Sequence, residues 1–508
     1  MTTTTSTESP ALAGGNKSSV AILIVVSWAI FFGVLNASAI GVVLPTIAGD
    51  LGIEIGQVSW IMTGFLLVYG VAIPFYGRLA DLYGARRLFI LGLGLFALGS
   101  LLSAGAPNFE TLLASRILQA TGGAAAPGLG MAIASRAFGP ESRGMVIGII
   151  GAVIGVGSAI GPLLGGLLAS TWGWESIFVV SAISAIAIPA GLKVLPRNEE
   201  RVEGRLDILG GLLLALIVVG VLIAPSQASQ NGWASGPAIG GVVLAIVSLG
   251  LFVIQQRRAT SPFIPAEFRR NARFIALVAM SFLLMAANAG LLIGLPILLA
   301  IFNGTSVLTI GLVMLPGAAL SAVSGVTAGR LIDRFGAPTL IKFGGVVMLI
   351  GIVGLSAEAG GNLWLMSAYA GFVGAGLGFV NTPLATTVTR IVPTKLLSSA
   401  LGVNSMLFFV GGSVGGAVLL GFSTDAGTTA LNPLFTGKAV GFSDGFLILA
   451  IPVLLIILLS SRASEAGTAG LKEESARQIS HKWTADCSVP WSPEIGEPAA
   501  SAVASNGN

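Results

Sequence analysis

Residues 77–87 read GRLADLYGARR, and residues 329–337 repeat the start of that stretch as GRLIDRFGA. Each copy follows the second apolar run in a set of six. An internal repeat at equivalent positions of two hydrophobic sets is typical of membrane proteins built from two related helical bundles. The two copies therefore predict two six-helix units.

Around these copies lie fourteen apolar runs, each long enough to cross roughly 30 Å of hydrocarbon as a helix. The runs are continuously apolar, whereas a membrane strand would alternate over about ten residues. We predict an all-α polytopic membrane protein with fourteen transmembrane helices arranged as six, two and six. The predicted spans are 19–45, 57–76, 86–105, 111–133, 143–168, 174–195, 207–227, 237–256, 274–301, 306–328, 338–357, 363–387, 397–421 and 442–460.

Composition agrees with this prediction and excludes other classes of protein. The chain of 508 residues is 54% hydrophobic and 9% charged, with a mean hydropathy of +0.92. So few polar side chains cannot cover a soluble globule of this size. The net charge is +4, but no basic run with interleaved aromatics occurs, so we expect no nucleic-acid partner.

The single cysteine, Cys487, and the single histidine, His481, both follow the last apolar run. We therefore expect no disulfide, no metal site and no cofactor. The sequence also lacks a nucleophile–base pair and a Walker-type glycine loop, so we do not expect an enzyme. The first apolar run is too long for a cleaved signal peptide and is predicted to stay as a span.

Charge placement predicts the orientation, because Lys and Arg concentrate in cytoplasmic loops. Of the 26 basic residues, only Arg116 lies well inside a span and only Lys438 lies in a predicted outer loop. Both termini are therefore predicted to lie in the cytoplasm, with the protein in the cell (inner) membrane. The predicted organisation is a disordered tail (1–18), a six-helix bundle (19–200), two linking helices (201–260), a second six-helix bundle (261–460) and a disordered tail (461–508).

The stretch 77–87 resembles the cytoplasmic signature of the major facilitator superfamily, and 329–337 resembles its second copy. The glycines permit a tight turn, and Asp81 can accept from amides at a helix N-terminus or pair with Arg86 or Arg87. In the family this loop is a conformational latch; the alternative is a basic loop that only sets topology. The expected latch residues are Gly77, Asp81, Gly84, Arg86, Arg87, Gly329, Asp333 and Arg334.

The fifth span resembles the glycine-rich signature of antiporters in that superfamily. Gly157, Gly161 and Gly165 recur every four residues, which predicts a smooth groove for a partner helix. Pro162 removes one backbone hydrogen bond and permits a kink. Generic glycine packing is the alternative. The motif residues are Gly148, Gly157, Gly161, Pro162, Gly165 and Gly166.

Arg116 lies in the fourth span and resembles the buried arginine that the family associates with proton coupling. A cation at this depth should face the bundle interior, because an intramembrane charge costs at least about 2.5 kcal/mol. The alternative is that its side chain extends outward to the membrane surface. Further resemblances to the fourteen-helix drug:proton antiporters, which include tetracycline, quaternary-ammonium and multidrug exporters, are Leu35-Asn36, Leu44-Pro45, Trp172-Gly173-Trp174 and residues 207–210, which read DILG.

One family feature is missing: the first span carries Asn36 and no carboxylate, although cation exporters of this branch usually have one there. A lipophilic cation would want a buried anion, so neutral, zwitterionic or anionic substrates are favoured. The remaining candidates for proton coupling are Asp81, Glu110 and Glu175, with Arg116 influencing a nearby carboxylate or the substrate supplying the charge.

Polar and aromatic residues within the spans predict a mostly apolar substrate cavity. Hydrogen bonds between helices are the alternative for each polar residue. The leading function is proton-coupled efflux of amphipathic small molecules by a monomer, with a transporter of one metabolite or lipid-like compound as the alternative. The predicted cavity residues are Asn36, Gln119, Asn288, Asn381, Asn404, Trp60, Tyr69, Met285 and Phe408.

Overall fold

A computed structural model describes residues 15–53, 55–138, 142–196, 206–232, 234–423 and 430–463, and all regular secondary structure in those ranges is helical. Thirteen helices in the described ranges are long and apolar enough to cross a membrane, and a shorter apolar helix covers Ile208–Ala224. Together these helices occupy the positions of the fourteen predicted spans.

The first six spans form helices that begin and end close to the predicted bounds. Span 4 is divided at Ala124, and span 6 contains a 3-10 turn, Ile183–Ile186. The helices are α1 (Gly15–Leu51), α2 (Ile55–Tyr83), α3 (Ala85–Ala104), α4 (Phe109–Gly123), α5 (Ala125–Ala137), α6 (Arg143–Trp172), α7 (Glu175–Ala182) and α8 (Ala187–Val194).

The linking pair and the last six spans follow. Span 9 contains a π-helical turn, Gly290–Gly294, and a 3-10 turn, Thr394–Leu396, precedes span 13. The helices are α9 (Ile208–Asn231), α10 (Gly236–Arg258), the short α11 (Ala266–Arg270), α12 (Ala272–Ala289), α13 (Leu295–Ile301), α14 (Val307–Phe335), α15 (Ala337–Ala357), α16 (Leu363–Ile391), α17 (Leu397–Ser423), α18 (Val440–Ile448) and α19 (Ala450–Leu459).

Four spans are interrupted, and each interruption lies just before a proline. The breaks at Ala124, 183–186, 290–294 and Leu449 precede Pro127, Pro189, Pro296 and Pro452. A proline ring clashes with the carbonyl four residues earlier and removes one hydrogen bond, so the helix tightens or widens there. Apolar run length alone did not predict these interruptions.

The first helix begins inside the predicted N-terminal tail. Residues 15–18, which the sequence analysis places in that tail, form the first turn of α1. The prediction counted only apolar residues, whereas a helix can continue into polar residues by adding one backbone hydrogen bond per residue. Residues 460–463 form a 3-10 turn. The rest of both predicted tails, including His481 and Cys487, lies outside the described residues.

Buried apolar side chains form separate clusters in the two halves. One cluster is made mainly of residues from α12 to α19, and a second mainly of residues from α1 to α9. A third, smaller cluster joins α1, α2, α4, α6 and α7 through Ile40, Ile61, Leu112, Leu168 and Phe178. The hairpin of α9 and α10 packs through α9 against α2 and α17. The predicted domain boundaries stay a prediction.

Candidate functional site

Asp81 lies in the last turns of α2 and reaches across to the second half of the molecule. Its carboxylate is fully buried, and Oδ2 accepts a hydrogen bond of 2.9 Å from the backbone amide of Ser399, in the first turn of α17. Its Oδ1 lies 3.5 Å from Arg136 Nη2. A carboxylate at a helix N-terminus is stabilised by the free amides and the helix dipole. Asp81 therefore joins the two halves.

The glycines of the first copy have two different roles. Gly77 lies within α2, not in a turn, and a Cβ there would come within 2.7 Å of the Ser398 carbonyl oxygen. Gly84 makes the turn into α3 with a φ of 101°. Arg86 donates to the Leu192 carbonyl oxygen at 2.5 Å, and Arg87 is exposed. The expectation of a tight turn therefore holds at Gly84, while Gly77 permits close helix approach.

The second copy repeats this arrangement with one difference. A Cβ at Gly329 would clash with the Gly144 carbonyl oxygen at the start of α6, and Gly336 makes the turn with a φ of 76°. Asp333, however, is half-exposed and pairs with Arg390 of its own half at 2.6 Å. Arg334 lies over the Phe335 ring. Helices α2 and α17 thus meet at one side of the molecule, and α14 and α6 meet in the equivalent way.

Two further arginines join the halves at the same face and were not singled out in the sequence. Arg136 Nη2 donates to the Thr394 carbonyl oxygen at 3.1 Å. Arg143 Nη1 donates to the Thr389 carbonyl oxygen at 3.0 Å. From the sequence alone, Arg136 and Arg143 are basic residues on either side of a loop. Their hydrogen-bond acceptors belong to the other half and come close only when the two halves pack together.

The glycine motif of α6 serves two partner helices. Gly157, Gly161 and Gly165 lie against α1, and a Cβ at Gly161 would clash with Ser38 Oγ. Gly148 instead approaches the Gly325 carbonyl oxygen of α14, at 2.5 Å from the position of a Cβ. Gly166 faces open space, and Pro162 lies inside a continuous helix. The groove that the spacing predicts therefore holds α1, while the start of α6 touches the other half.

Arg116 lies at the centre of a buried polar chain in the first half. Its Nη1 donates to Asn36 Oδ1 at 2.7 Å and to Gln119 Oε1 at 2.5 Å. Asn36 Nδ2 donates to Ser181 Oγ, and Gln119 Nε2 donates to Ser100 Oγ. All five side chains are fully buried. The chain links α7, α1, α4 and α3, and it excludes the alternative in which Arg116 extends outward.

Aromatic rings cover the guanidinium group and lead to the other half. The Phe65 ring centre lies 4.1 Å from Arg116 Cζ, within the range of a cation–π contact. Phe65 stacks on Tyr69, and Tyr69 meets Phe409 of α17 edge-on, with ring centres 5.3 Å apart. Phe408 packs edge-on against Phe409. Two predicted cavity residues, Tyr69 and Phe408, thus belong to an aromatic row between Arg116 and α17.

Asn36 and Gln119 belong to the polar chain around Arg116, and the remaining predicted cavity residues lie outside both that chain and the aromatic row. Asn404 Oδ1 accepts from Ser281 Oγ at 2.8 Å, a hydrogen bond between α17 and α12. Asn288 Nδ2 lies 3.7 Å from Met285 Sδ, and its buried Oδ1 has no hydrogen-bond partner among the described residues. Asn381 is half-buried in α16, and Trp60 is 40% exposed. The hydrogen bonds of Asn36 and Asn404 match the alternative of bonding between helices.

The candidate carboxylates differ in burial. Glu110 is exposed in the first turn of α4, and Glu175 is half-buried in the first turn of α7. Neither takes part in the ion pairs of the described residues. Asp81 is the single fully buried Asp or Glu in the described part of the chain.

Comparison with known proteins identifies the family of this chain. The family model of the Major Facilitator Superfamily matches residues 26–416. The chain belongs to the major facilitator superfamily. It is 31% identical over 408 residues to the multidrug resistance protein Stp of Mycobacterium tuberculosis (strain CDC 1551 / Oshkosh), covering 80% of this chain and 76% of that protein.

Two further comparisons give a second relative and a solved structure of similar fold. The riboflavin transporter RibZ of Clostridioides difficile (strain 630) is 30% identical over 381 residues, or 74% of this chain and 81% of that protein. The crystal structure of the human organic anion transporter MFSD10 (TETRAN) superposes with a TM-score of 0.61 over 87% of this chain and 99% of that one, at 16% identity. At this low identity, the similarity to the MFSD10 structure shows the fold alone. This superfamily member is a multi-pass membrane transporter.

The linking hairpin of this superfamily member and the segment after it contact α2. The sequence analysis quoted only residues 207–210 of this region. Asp207, in the quoted stretch 207–210, accepts from the Gly210 amide, from Gln255 Nε2 and from the Phe263 amide. The Phe263 ring packs on Phe75 of α2 at 5.0 Å. Arg78, close to Asp81 in α2, donates to Ser261 Oγ at 3.2 Å. The linking hairpin and its exit segment are therefore attached to α2, the helix that carries Asp81.

Proposed function

We propose that this protein exports amphipathic small molecules from the cytoplasm, using the proton gradient, by alternating access between its two halves. The observation that carries the proposal is the contact between halves around Asp81, Gly77 and Gly144, together with the similarity to multidrug transporters. Charge placement supports a cell-membrane location in which this face and both termini lie on the cytoplasmic side. The described conformation is then closed to the cytoplasm and is one of two alternating states.

The carboxylate of Asp81 holds this face closed, and a change in its protonation would open it. Asp81 holds the first turn of α17 through its charge, and protonation of the carboxylate would weaken that hydrogen bond. We therefore place the exchangeable proton on Asp81. Glycine contacts between α6 and α14 allow close packing in the closed state. The protein acts as a monomer, since each half provides the partner surface of the other.

An alternative is export or facilitated passage of one metabolite or lipid-like compound without proton coupling at the first helix. Asn36 favours it, because the polar chain around Arg116 contains amides and hydroxyls and no carboxylate among the described residues. The 30% identity to a riboflavin transporter also supports a single-metabolite substrate.

Reconstitution into liposomes that contain a pH-sensitive dye tests both candidates. A gradient of neutral, anionic or cationic amphiphile is imposed, and substrate and proton movements are recorded together. Substrate-dependent proton flux supports coupled export. Substrate movement without proton movement supports the alternative. No movement of any amphiphile class, by protein that is folded and correctly inserted, contradicts the proposed export.

A further inference from the structure

Arg116 is a buried cation that pairs with no carboxylate among the described residues. Its two hydrogen bonds go to the neutral amides of Asn36 and Gln119, and its Nε and Nη2 have no partner among the described residues. None of the ion pairs of the described residues includes Arg116. An unpaired guanidinium inside a membrane bundle is unfavourable in free energy. We therefore expect an anion to bind beside Arg116 at some stage of the transport cycle.

Asn36 is the residue that leaves this charge uncompensated. Its Oδ1 lies 2.7 Å from Arg116 Nη1, and its Nδ2 donates to Ser181 Oγ. An aspartate has nearly the same shape, and at this position its carboxylate would form an internal ion pair with Arg116. The amide instead orients the guanidinium while leaving its full positive charge available to a ligand.

One of the two rings over Arg116, that of Phe65, is held in place by contacts between the halves, whereas the other, Phe178, belongs to the same half as Arg116. Phe65 lies over the guanidinium, Tyr69 stacks on Phe65, and Phe409 of α17 packs against Tyr69. Separation of α2 from α17 removes the contact that fixes Tyr69 and leaves Phe65 free to change rotamer. The Phe65 side of the site is then covered in the described conformation and uncovered when the halves part.

We propose that Arg116 binds the anionic headgroup of an amphipathic substrate, such as a carboxylate or sulfonate, and that Asn36 determines this preference for anions. The apolar part of the substrate would lie along the aromatic row of Phe65, Tyr69 and Phe409. This inference rests on the proposed function, since it names the substrate class for the same transport cycle.

The test uses three probes that share one fluorophore and differ in charge. Dansylglycine is anionic, dansylamide is neutral and dansylcadaverine is cationic. Transport of each probe is measured in liposomes with the full-length protein, and the apparent KM and the maximal rate are determined separately. We expect the wild type to prefer dansylglycine.

Variants at two positions separate charge from packing. Arg116→Gln and Asn36→Asp should each raise the KM for dansylglycine roughly ten- to a hundredfold, the value of one charge-assisted hydrogen bond. Asn36→Ala is the comparison variant. It loses the hydrogen bond that orients Arg116 but adds no charge, so it should raise the KM for dansylglycine less than Asn36→Asp does and keep the preference for the anion. Thermal unfolding in detergent, measured independently of transport, shows whether each variant is folded.

The outcomes distinguish this inference from the proposed function. Wild-type transport of dansylamide or dansylcadaverine with none of dansylglycine overturns the anion site and leaves export standing. An unchanged KM for dansylglycine in Asn36→Asp or in Arg116→Gln also overturns the anion site. If the wild type moves none of the three probes, the proposed export of amphiphiles fails and this inference fails with it.

Discussion

At the scale of single residues, Asp81 and Asp333 show how one repeated motif acquires two different environments. Both follow a glycine by four positions and both pair with an arginine. Asp81 is fully buried and also accepts from the Ser399 amide of the other half, whereas the Asp333 side chain is 51% exposed. Exposed ion pairs contribute about 0–1 kcal/mol, and hydrogen bonds to buried charges contribute about 1.5–3 kcal/mol. The first copy is therefore the one expected to control opening.

Asp81→Asn is predicted to shift the protein towards the state open to the cytoplasm, because a neutral amide holds the first turn of α17 less strongly. The expected shift in the equilibrium is roughly tenfold, with impaired transport and unchanged folding. Spin labels at Tyr83→Cys and Lys395→Cys in a Cys487→Ser background should report a longer distance. Asp333→Asn is the control and should change the distance little. Equal effects of the two substitutions would contradict the distinction.

At the scale of helices, α6 belongs to two interfaces of different kind. Its first turns meet α14 of the other half at Gly144 and Gly148, while Gly157, Gly161 and Gly165 pack on α1 of its own half. In the proposed transport cycle, the interface with α14 opens and closes while the interface with α1 stays closed, so both belong to a single glycine-rich helix.

Gly161→Leu is predicted to destabilise the bundle by about 1–3 kcal/mol and to abolish transport, because a side chain there meets Ser38 and the α1 backbone. Thermal unfolding in detergent and liposome transport measure the two effects. Gly166→Leu is the matched control on the same helix, since its side chain would enter open space. Full transport by Gly161→Leu would mean that the close contact with α1 is dispensable.

A substitution in the first turns of α6 should act differently. Gly148→Leu places its side chain against Gly325 of the other half, so the halves cannot close. We expect normal thermal stability, a longer distance between labels at Tyr83→Cys and Lys395→Cys, and loss of transport. A short distance in this variant would show that α6 and α14 do not limit closure.

The linking hairpin offers a third prediction at this scale. Asp207→Ala removes the acceptor of the Gln255, Gly210 and Phe263 hydrogen bonds, so the segment around 259–265 should become more mobile. Hydrogen exchange of the Phe263 amide should accelerate roughly tenfold, as expected for the loss of a hydrogen bond to a charged group. Exchange at the Leu431 amide, which donates to Asp444, serves as the internal reference. Unchanged exchange at Phe263 would contradict the anchoring role of Asp207.

At the scale of the whole molecule, the α9–α10 hairpin is an additional pair of helices between two halves that repeat the same signature motif. An even number of spans returns the chain to its starting side. Deletion of 206–258 should therefore keep both termini in the cytoplasm, whereas deletion of 206–232 alone should place the C-terminus outside. A fluorescent protein fused after Asn508, which fluoresces in the cytoplasm, reads out the orientation. Fluorescence that is the same in both deletions would contradict the role of α9 as a span.

The sequence by itself determined the helical membrane fold, the approximate positions of the spans and the two signature copies, because hydrophobic length and loop charge are local properties. Only the tertiary structure decided which partners those residues meet. Asp81 contacts the Ser399 amide, 318 positions away along the chain. Arg116 finds Asn36 on another helix, and Gly148 and Gly161 face different halves. These pairings arise when distant helices pack, so no local pattern specifies them.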